Sequence, residues 1–118
     1  MDQQTIQNLE LLSDVTALNE EIPLACTLSE SDLAARKDEI NPIFQSVQQV
    51  KELADGYALS FPGTNEWANR LIEFINFERV CCQFFTFALV FEPGLGATWM
   101  QVRGPEGVKG MVEEMINR

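Results

Sequence analysis

The feature that most constrains the fold of this 118-residue chain is an almost uninterrupted apolar segment, Phe84 to Phe91. In an extended strand its apolar side chains would point to both faces, which is typical of a strand buried on both sides. The segment is too short to cross a bilayer, because a span needs about 18 apolar residues. We therefore predict that it forms the central strand of a sheet.

Hydrophobic periodicity predicts two elements before the central strand and a helix that leads into it. Ser29 is a typical N-cap for a first helix, which we expect to kink or break near Pro42. The Asp55-Gly56 turn signal then leads into an alternating, half-buried strand that ends at Pro62. A largely enclosed helix runs from Glu66 to about Cys82.

Two further elements are predicted after the central strand. Glu92 to Gly96 contains the turn residues of a hairpin, so Thr98 to Arg103 returns antiparallel to the central strand. Pro105 suits the first position of a last helix, and that helix has a buried stripe of Val and Met side chains.

These elements predict an α+β fold with the order helix, strand, helix, strand, strand, helix around a small mixed sheet of about three strands. The strand-helix-strand unit allows a parallel pair, and the hairpin adds an antiparallel strand. Residues 1–21 are expected to be an N-terminal extension, and residues 22–118 a single domain. Because a small sheet leaves edges uncovered, we expect a homodimer.

Charge and cysteine content indicate the cellular setting. The net charge of -10 opposes binding to nucleic acid and to anionic membrane surfaces. The acidic N-terminus lacks the basic and apolar regions of a secretory signal. Three cysteines form an odd number, which argues against a disulfide framework of the secreted kind. We therefore predict a cytoplasmic protein with reduced thiols.

The absence of histidine excludes several catalytic chemistries. Ser-His-Asp triads, Cys-His pairs and HExxH zinc sites all need that side chain. The sequence also lacks a G-x-G-x-x-G or P-loop motif, so no nucleotide cofactor is predicted. An enzyme is therefore less favoured than a non-catalytic role.

The candidate functional cluster lies between the enclosed helix and the central strand, where Glu78, Arg79, Cys81 and Cys82 follow one another closely. At helical spacing Glu78 and both thiols point into one sector of the helix. Cys26 joins them if the connector that contains it, residues 22–28, folds back over this helix. A buried Glu78 needs a cationic partner, which Arg79, Arg70 or the distant Arg36 could supply.

Two interpretations of the cysteines follow. Free cysteines often pack as small hydrophobic side chains, and a thiol in apolar surroundings has a raised pKa and is unreactive. Alternatively, Cys81 and Cys82 take part in redox chemistry, but a bond between them requires the helix to end at Cys81. Cys26, Cys81 and Cys82 could also bind a soft metal ion, although the fourth ligand and the spacing of a structural zinc site are missing.

The chain resembles, over about residues 24 to 116, a set of small uncharacterised bacterial proteins. In that family the double-cysteine motif commonly reads Glu-Arg-x-Cys-Cys-Pro-Phe, and Gln83 replaces its proline here. The family has no established activity, but some relatives look like companions of heavy-metal resistance functions, which implies a soft-metal role for the three cysteines. The other matching segments are Cys26-Thr-Leu28, Asp32-Leu33 with Arg36, Asp55-Gly56-Tyr57 with Phe61-Pro62, and Gly104-Pro-Glu-Gly107.

Three functions are consistent with these observations. The first is a dimeric binding or interaction module whose Phe-rich strand receives a small ligand or a protein partner. The second is a cysteine-dependent protein that binds a soft metal or changes redox state through Cys81 and Cys82. The third is an enzyme that uses Glu78 with Arg79 or a cysteine.

Overall fold

The computed structural model describes residues 30–117, which contain three helices and one four-stranded sheet. The helices, strands and their bounds in chain order are α1 Glu30–Gln45, β1 Gln49–Leu53, β2 Gly56–Phe61, α2 Asn65–Cys81, β3 Thr86–Phe91, β4 Thr98–Arg103 and α3 Val108–Ile116. The predicted α+β class is therefore confirmed. Residues 1–29, including the predicted extension, the Ser29 cap and Cys26, lie outside the described residues.

The strand order is β1-β2-β4-β3, and every neighbouring pair is antiparallel. β2 and β3 run in the same direction but do not pair, because β4 lies between them, so the sheet is antiparallel and not mixed as predicted. The prediction that Phe84 to Phe91 is central is wrong, because β3 is an edge strand. β2 and β4 occupy the centre, and all their residues are buried.

β1 is a strand that the sequence pattern did not predict. Its apolar residues Val50 and Leu53 are three apart, a spacing that also suits a helix, and four of its five residues are exposed. Pairing with β2, from Gln49 opposite Ser60 to Leu53 opposite Gly56, holds this polar segment in extended form. Tertiary pairing has overridden a weak local preference.

The main core lies between the helices and one face of the sheet. Aromatic rings form a continuous part of it: Phe74 contacts Phe44 and Phe87 edge-on, and Phe61 stacks on Trp67 at a centroid distance of 5.2 Å. α3 adds its predicted stripe, with Val108 and Val112 buried and Met111 and Met115 partly buried. This packing fixes α2 against the sheet and so determines where the end of α2 lies.

Both ends of α2 are well defined. Thr64 caps its start by accepting a hydrogen bond from the backbone N–H of Trp67 at 3.2 Å. Cys81 is its last residue, and the backbone N–H of Cys82 donates to the carbonyl of Glu78 at 2.7 Å. Four residues later β3 begins, so the cysteines lie at the junction between the enclosed helix and the edge strand.

None of the helices in residues 30–117 has the length and apolar character needed to span a bilayer.

Candidate functional site

The structure brings Glu78, Cys81 and Cys82 together at the end of α2. A carboxylate oxygen of Glu78 and the two sulfurs all lie within 4.8 Å of one another, and all three residues are buried. Cys81 is one helical turn after Glu78, and its Sγ donates to Glu78 Oε2 at 3.7 Å. We call these three residues the Glu-Cys-Cys cluster.

Arg36 of α1 supplies the positive charge that buried Glu78 needs. Its Nε donates to Glu78 Oε1 at 3.1 Å, and its Nη1 donates to Glu39 at 3.1 Å. The guanidinium also lies 3.9 Å from the centre of the Phe77 ring, a cation–π contact. Of the three arginines considered as partners, the one most distant in sequence is the one that pairs with Glu78.

The other predicted site residues lie elsewhere. Arg79 is exposed and borders an apolar cleft beside β3 instead of contacting the cluster. The Arg70 guanidinium lies 4.1 Å from the centre of the Trp67 ring. Cys26 lies outside the described residues.

The two cysteines of the cluster differ in oxidation state. Cys81 is a buried thiol outside any disulfide, whereas Cys82 is disulfide-bonded. The Cys82 disulfide departs from the expectation of reduced thiols, and it withdraws one sulfur from metal binding. Reduction of Cys82 would restore a group of two sulfurs and one carboxylate that could hold a metal ion.

The Cys81 thiol is a weaker acid than an ordinary cysteine thiol. Burial, the negative charge of Glu78 and the hydrogen bond to that carboxylate raise the pKa of Cys81 to about 11, although the Arg36 charge and a backbone hydrogen bond act in the opposite direction. At neutral pH the side chain is therefore a thiol, which is a poor nucleophile. The carboxylate of Glu78 is the nearest acceptor for its proton.

We expect the free energy of unfolding to fall as the pH rises from about 9 to about 11, because the unfolded thiol ionises near 9 and the folded thiol near 11. The contribution from Cys81 is fully present below pH 9 and amounts to at most about 3 kcal/mol. Urea unfolding at several pH values would measure it in a Cys26→Ser, Cys82→Ser background, which leaves no disulfide to exchange with Cys81. Cys81→Ala should show a shallower fall over this interval, and equal slopes in the two proteins would contradict the assignment.

The two sulfurs of the cluster are close enough to react with one another. Cys81 Sγ lies 3.5 Å from Cys82 Sγ. The helix ends at Cys81, and Cys82 has φ -129° and ψ 79°, outside helical geometry. A bond between the adjacent cysteines requires the helix to end at Cys81, and the structure meets that requirement.

A second candidate site is the apolar cleft of about 330 Å³ between α2 and β3. The residues that line it are Ile75, Arg79, Phe85, Phe87, Ala88 and Leu89. It corresponds to the Phe-rich binding surface expected from the sequence, although that surface lies at the edge of the sheet and not at its centre.

One interaction outside these sites was not predicted. The Tyr57 hydroxyl on β2 donates to the Glu113 carboxylate on α3. This hydrogen bond, with burial and the Glu113 charge, raises the pKa of Tyr57 to about 12. The two residues are 56 apart in sequence, and Glu113 lies in no motif, so no sequence signal linked them.

Comparison with known proteins finds no significant match. No protein-family model matches it, no curated protein is significantly similar to it, and no solved structure matches its fold at a significant level.

Proposed function

We propose that this protein is a thiol–disulfide switch in which Cys81 takes the place of the present disulfide partner of Cys82. The observation that carries the proposal is the 3.5 Å distance between the sulfur of the Cys81 thiol and the disulfide-bonded Cys82 sulfur. Thiol–disulfide exchange needs a nearby thiol that can ionise, and the cluster supplies it without any external group.

The exchange step conserves atoms and electrons. The Cys81 thiol loses its proton, its sulfur bonds to Cys82 Sγ, and the existing disulfide bond of Cys82 breaks. The sulfur that leaves takes the electron pair as a thiolate and then binds a proton. No oxidant is consumed, because one disulfide replaces another.

Glu78 and Arg36 control the proton in this step. Glu78 accepts the hydrogen bond from Cys81 and is the local proton acceptor, while its charge makes the Cys81 thiolate less stable. Arg36 holds Glu78 in place and partly offsets that charge. The switch is therefore slow at neutral pH and accelerates as the pH rises toward the pKa of Cys81.

We place the protein in the cytoplasm and propose that it works as a homodimer. The support for the cytoplasm is the odd number of cysteines, which argues against a disulfide framework of the secreted kind. Disulfides of cytoplasmic proteins are usually transient and redox-active, which agrees with an exchanging Cys82. The support for the homodimer is the apolar edge strand β3, whose outer side pairs with no other strand in residues 30–117.

Oxidation of a Cys26→Ser variant would test the reactivity of the pair, because Cys81 and Cys82 are then the only cysteines. We expect reduced Cys26→Ser, treated with glutathione disulfide, to lose two hydrogens and to retain no glutathione, since Cys81 displaces it from Cys82. Intact-chain mass spectrometry measures both changes.

The matched control is the double variant Cys26→Ser, Cys81→Ser. It has only Cys82, so it should stop at the mixed disulfide with glutathione. If Cys26→Ser also stops at a mixed disulfide, or if it stays reduced under conditions that oxidise the unfolded chain, the proposed switch is wrong.

A further inference from the structure

The two edges of the sheet are protected to different degrees. β1 carries the exposed charged residues Lys51 and Glu52, which discourage pairing with another strand. β3, at the opposite edge, runs from Thr86 to Phe91 without a charged side chain. In the described part of the chain no strand pairs with the outer side of β3. An apolar, uncharged edge strand is a template for a further strand.

The surface beside β3 is apolar as well. The cleft described above lies between this strand and α2, with Ile75, Phe87 and Leu89 in its lining. Beyond the cleft, Phe91 at the end of β3 and Ile72 on α2 are 57% and 43% exposed. A single exposed apolar side chain is common on protein surfaces, but these two extend the apolar surface of an edge strand that has no charged residue.

We infer that a second copy of this chain pairs along β3, strand to strand and antiparallel about a two-fold axis, so that two four-stranded sheets become one continuous sheet. The inference rests on the homodimer proposed above and names its interface. Within residues 30–117 no strand pairs with the outer backbone N–H and C=O groups of β3, so an extended strand is the expected occupant.

Self-complementarity selects a second copy as that strand. A two-fold interface brings the same patch of both subunits together, so any like charge near the axis would repel its counterpart. β3 has no charged side chain that would face the same charge in the other copy, although each chain has a net charge of -10. The β3 edge is thus a place where two acidic copies can approach closely.

The antiparallel register places the apolar face of β3 in one copy beside the apolar face of β3 in the other. In a continuous antiparallel sheet, directly opposite residues point to the same face. A two-fold axis at Ala88 or Leu89 therefore sets Phe87, Leu89 and Phe91 of one copy beside the same apolar row of the other. The cleft on each subunit is then covered by its counterpart, on the side where α2 presents Ile72.

Sedimentation velocity over a range of protein concentrations would test the interface. We expect a wild-type dimer, and we expect Ile72→Lys with Phe91→Lys to raise its dissociation constant by about tenfold or more, because two charges per copy enter an apolar contact. Both side chains are about half exposed, so the monomer should remain folded. Val50→Lys on the charged β1 edge is the matched control, since Val50 is 44% exposed, and it should leave the dissociation constant unchanged.

The outcomes separate the two proposals. A wild-type chain that is monomeric at every concentration would overturn both the homodimer and its interface. A dimer that tolerates the β3-side double variant as well as Val50→Lys would overturn the interface alone. Circular dichroism of each variant confirms that the monomers compared are folded.

Discussion

Glu78→Ala should lower the free energy of unfolding by about 3 kcal/mol, because it breaks a buried ion pair and leaves Arg36 with less compensation. The substitution also removes the acceptor for the Cys81 thiol and leaves a void at the end of α2. Arg36 keeps its ion pair with Glu39 and some contact with water, so the loss lies at the low end of the range for such pairs. Equilibrium urea unfolding would measure it.

Glu73→Ala is the matched control for this prediction. Glu73 lies on the same helix but is exposed, so its replacement should change stability by no more than about 0.5 kcal/mol. Replacing both charged partners, with Arg36→Met and Glu78→Leu, should recover most of the lost stability, because apolar side chains of similar volume can substitute for a buried pair. Equal effects of Glu78→Ala and Glu73→Ala would show that the Arg36–Glu78 pair contributes little.

Gly56→Ala should destabilise the protein by more than about 3 kcal/mol, because the backbone of β4 leaves no room for a side chain there. A Cβ atom at Gly56 would lie 2.0 Å from the Val102 carbonyl oxygen and 2.8 Å from the Arg103 Cα. These are backbone atoms of the neighbouring central strand, so they cannot move aside without disturbing the β2–β4 pairing. Thermal unfolding should show a large fall in melting temperature or no cooperative transition.

Gly110→Ala provides the control for the glycine substitution. A Cβ atom at Gly110 meets nothing within 4 Å, and this residue lies within α3. Alanine is favoured over glycine in a helix by about 0.5–1 kcal/mol, so this variant should be slightly more stable than the wild type. A melting temperature for Gly56→Ala close to that of Gly110→Ala would contradict the close approach of β2 and β4.

Local patterns in the sequence identified most elements but not their order in the sheet. Alternating apolar residues identified β2, and the wide apolar face identified α2. The apolar content of β3 suggested a central strand, but β4 takes that place although it carries Gln101 and Arg103. Buried polar residues in a central strand are not visible as such in the sequence, because their burial depends on the elements that pack over them.

The candidate site was predictable where its residues are close in sequence. Helical spacing placed Glu78 and Cys81 on the same side of α2, and the structure confirms that they meet. Arg36 lies 42 residues before Glu78, so the sequence could name it only as one of several possible cations. The disulfide state of Cys82 likewise depends on tertiary structure, and the odd number of cysteines suggested reduced thiols instead.

The most direct test of the switch is to map the disulfide of the wild-type chain as a function of pH. Trypsin cuts after Arg79 and Arg103, so Cys81 and Cys82 share one peptide, whereas Cys26 lies in a different peptide. The chain would be held between about pH 7 and about pH 10, quenched with acid, and alkylated before digestion.

The proposal predicts that a growing fraction of peptide 80–103 lacks two hydrogens and is joined to no other peptide as the pH rises, because Cys81 must ionise before it attacks Cys82. If Cys82 remains joined to a different peptide at every pH, and the Cys81–Cys82 bond never forms, the central claim is wrong.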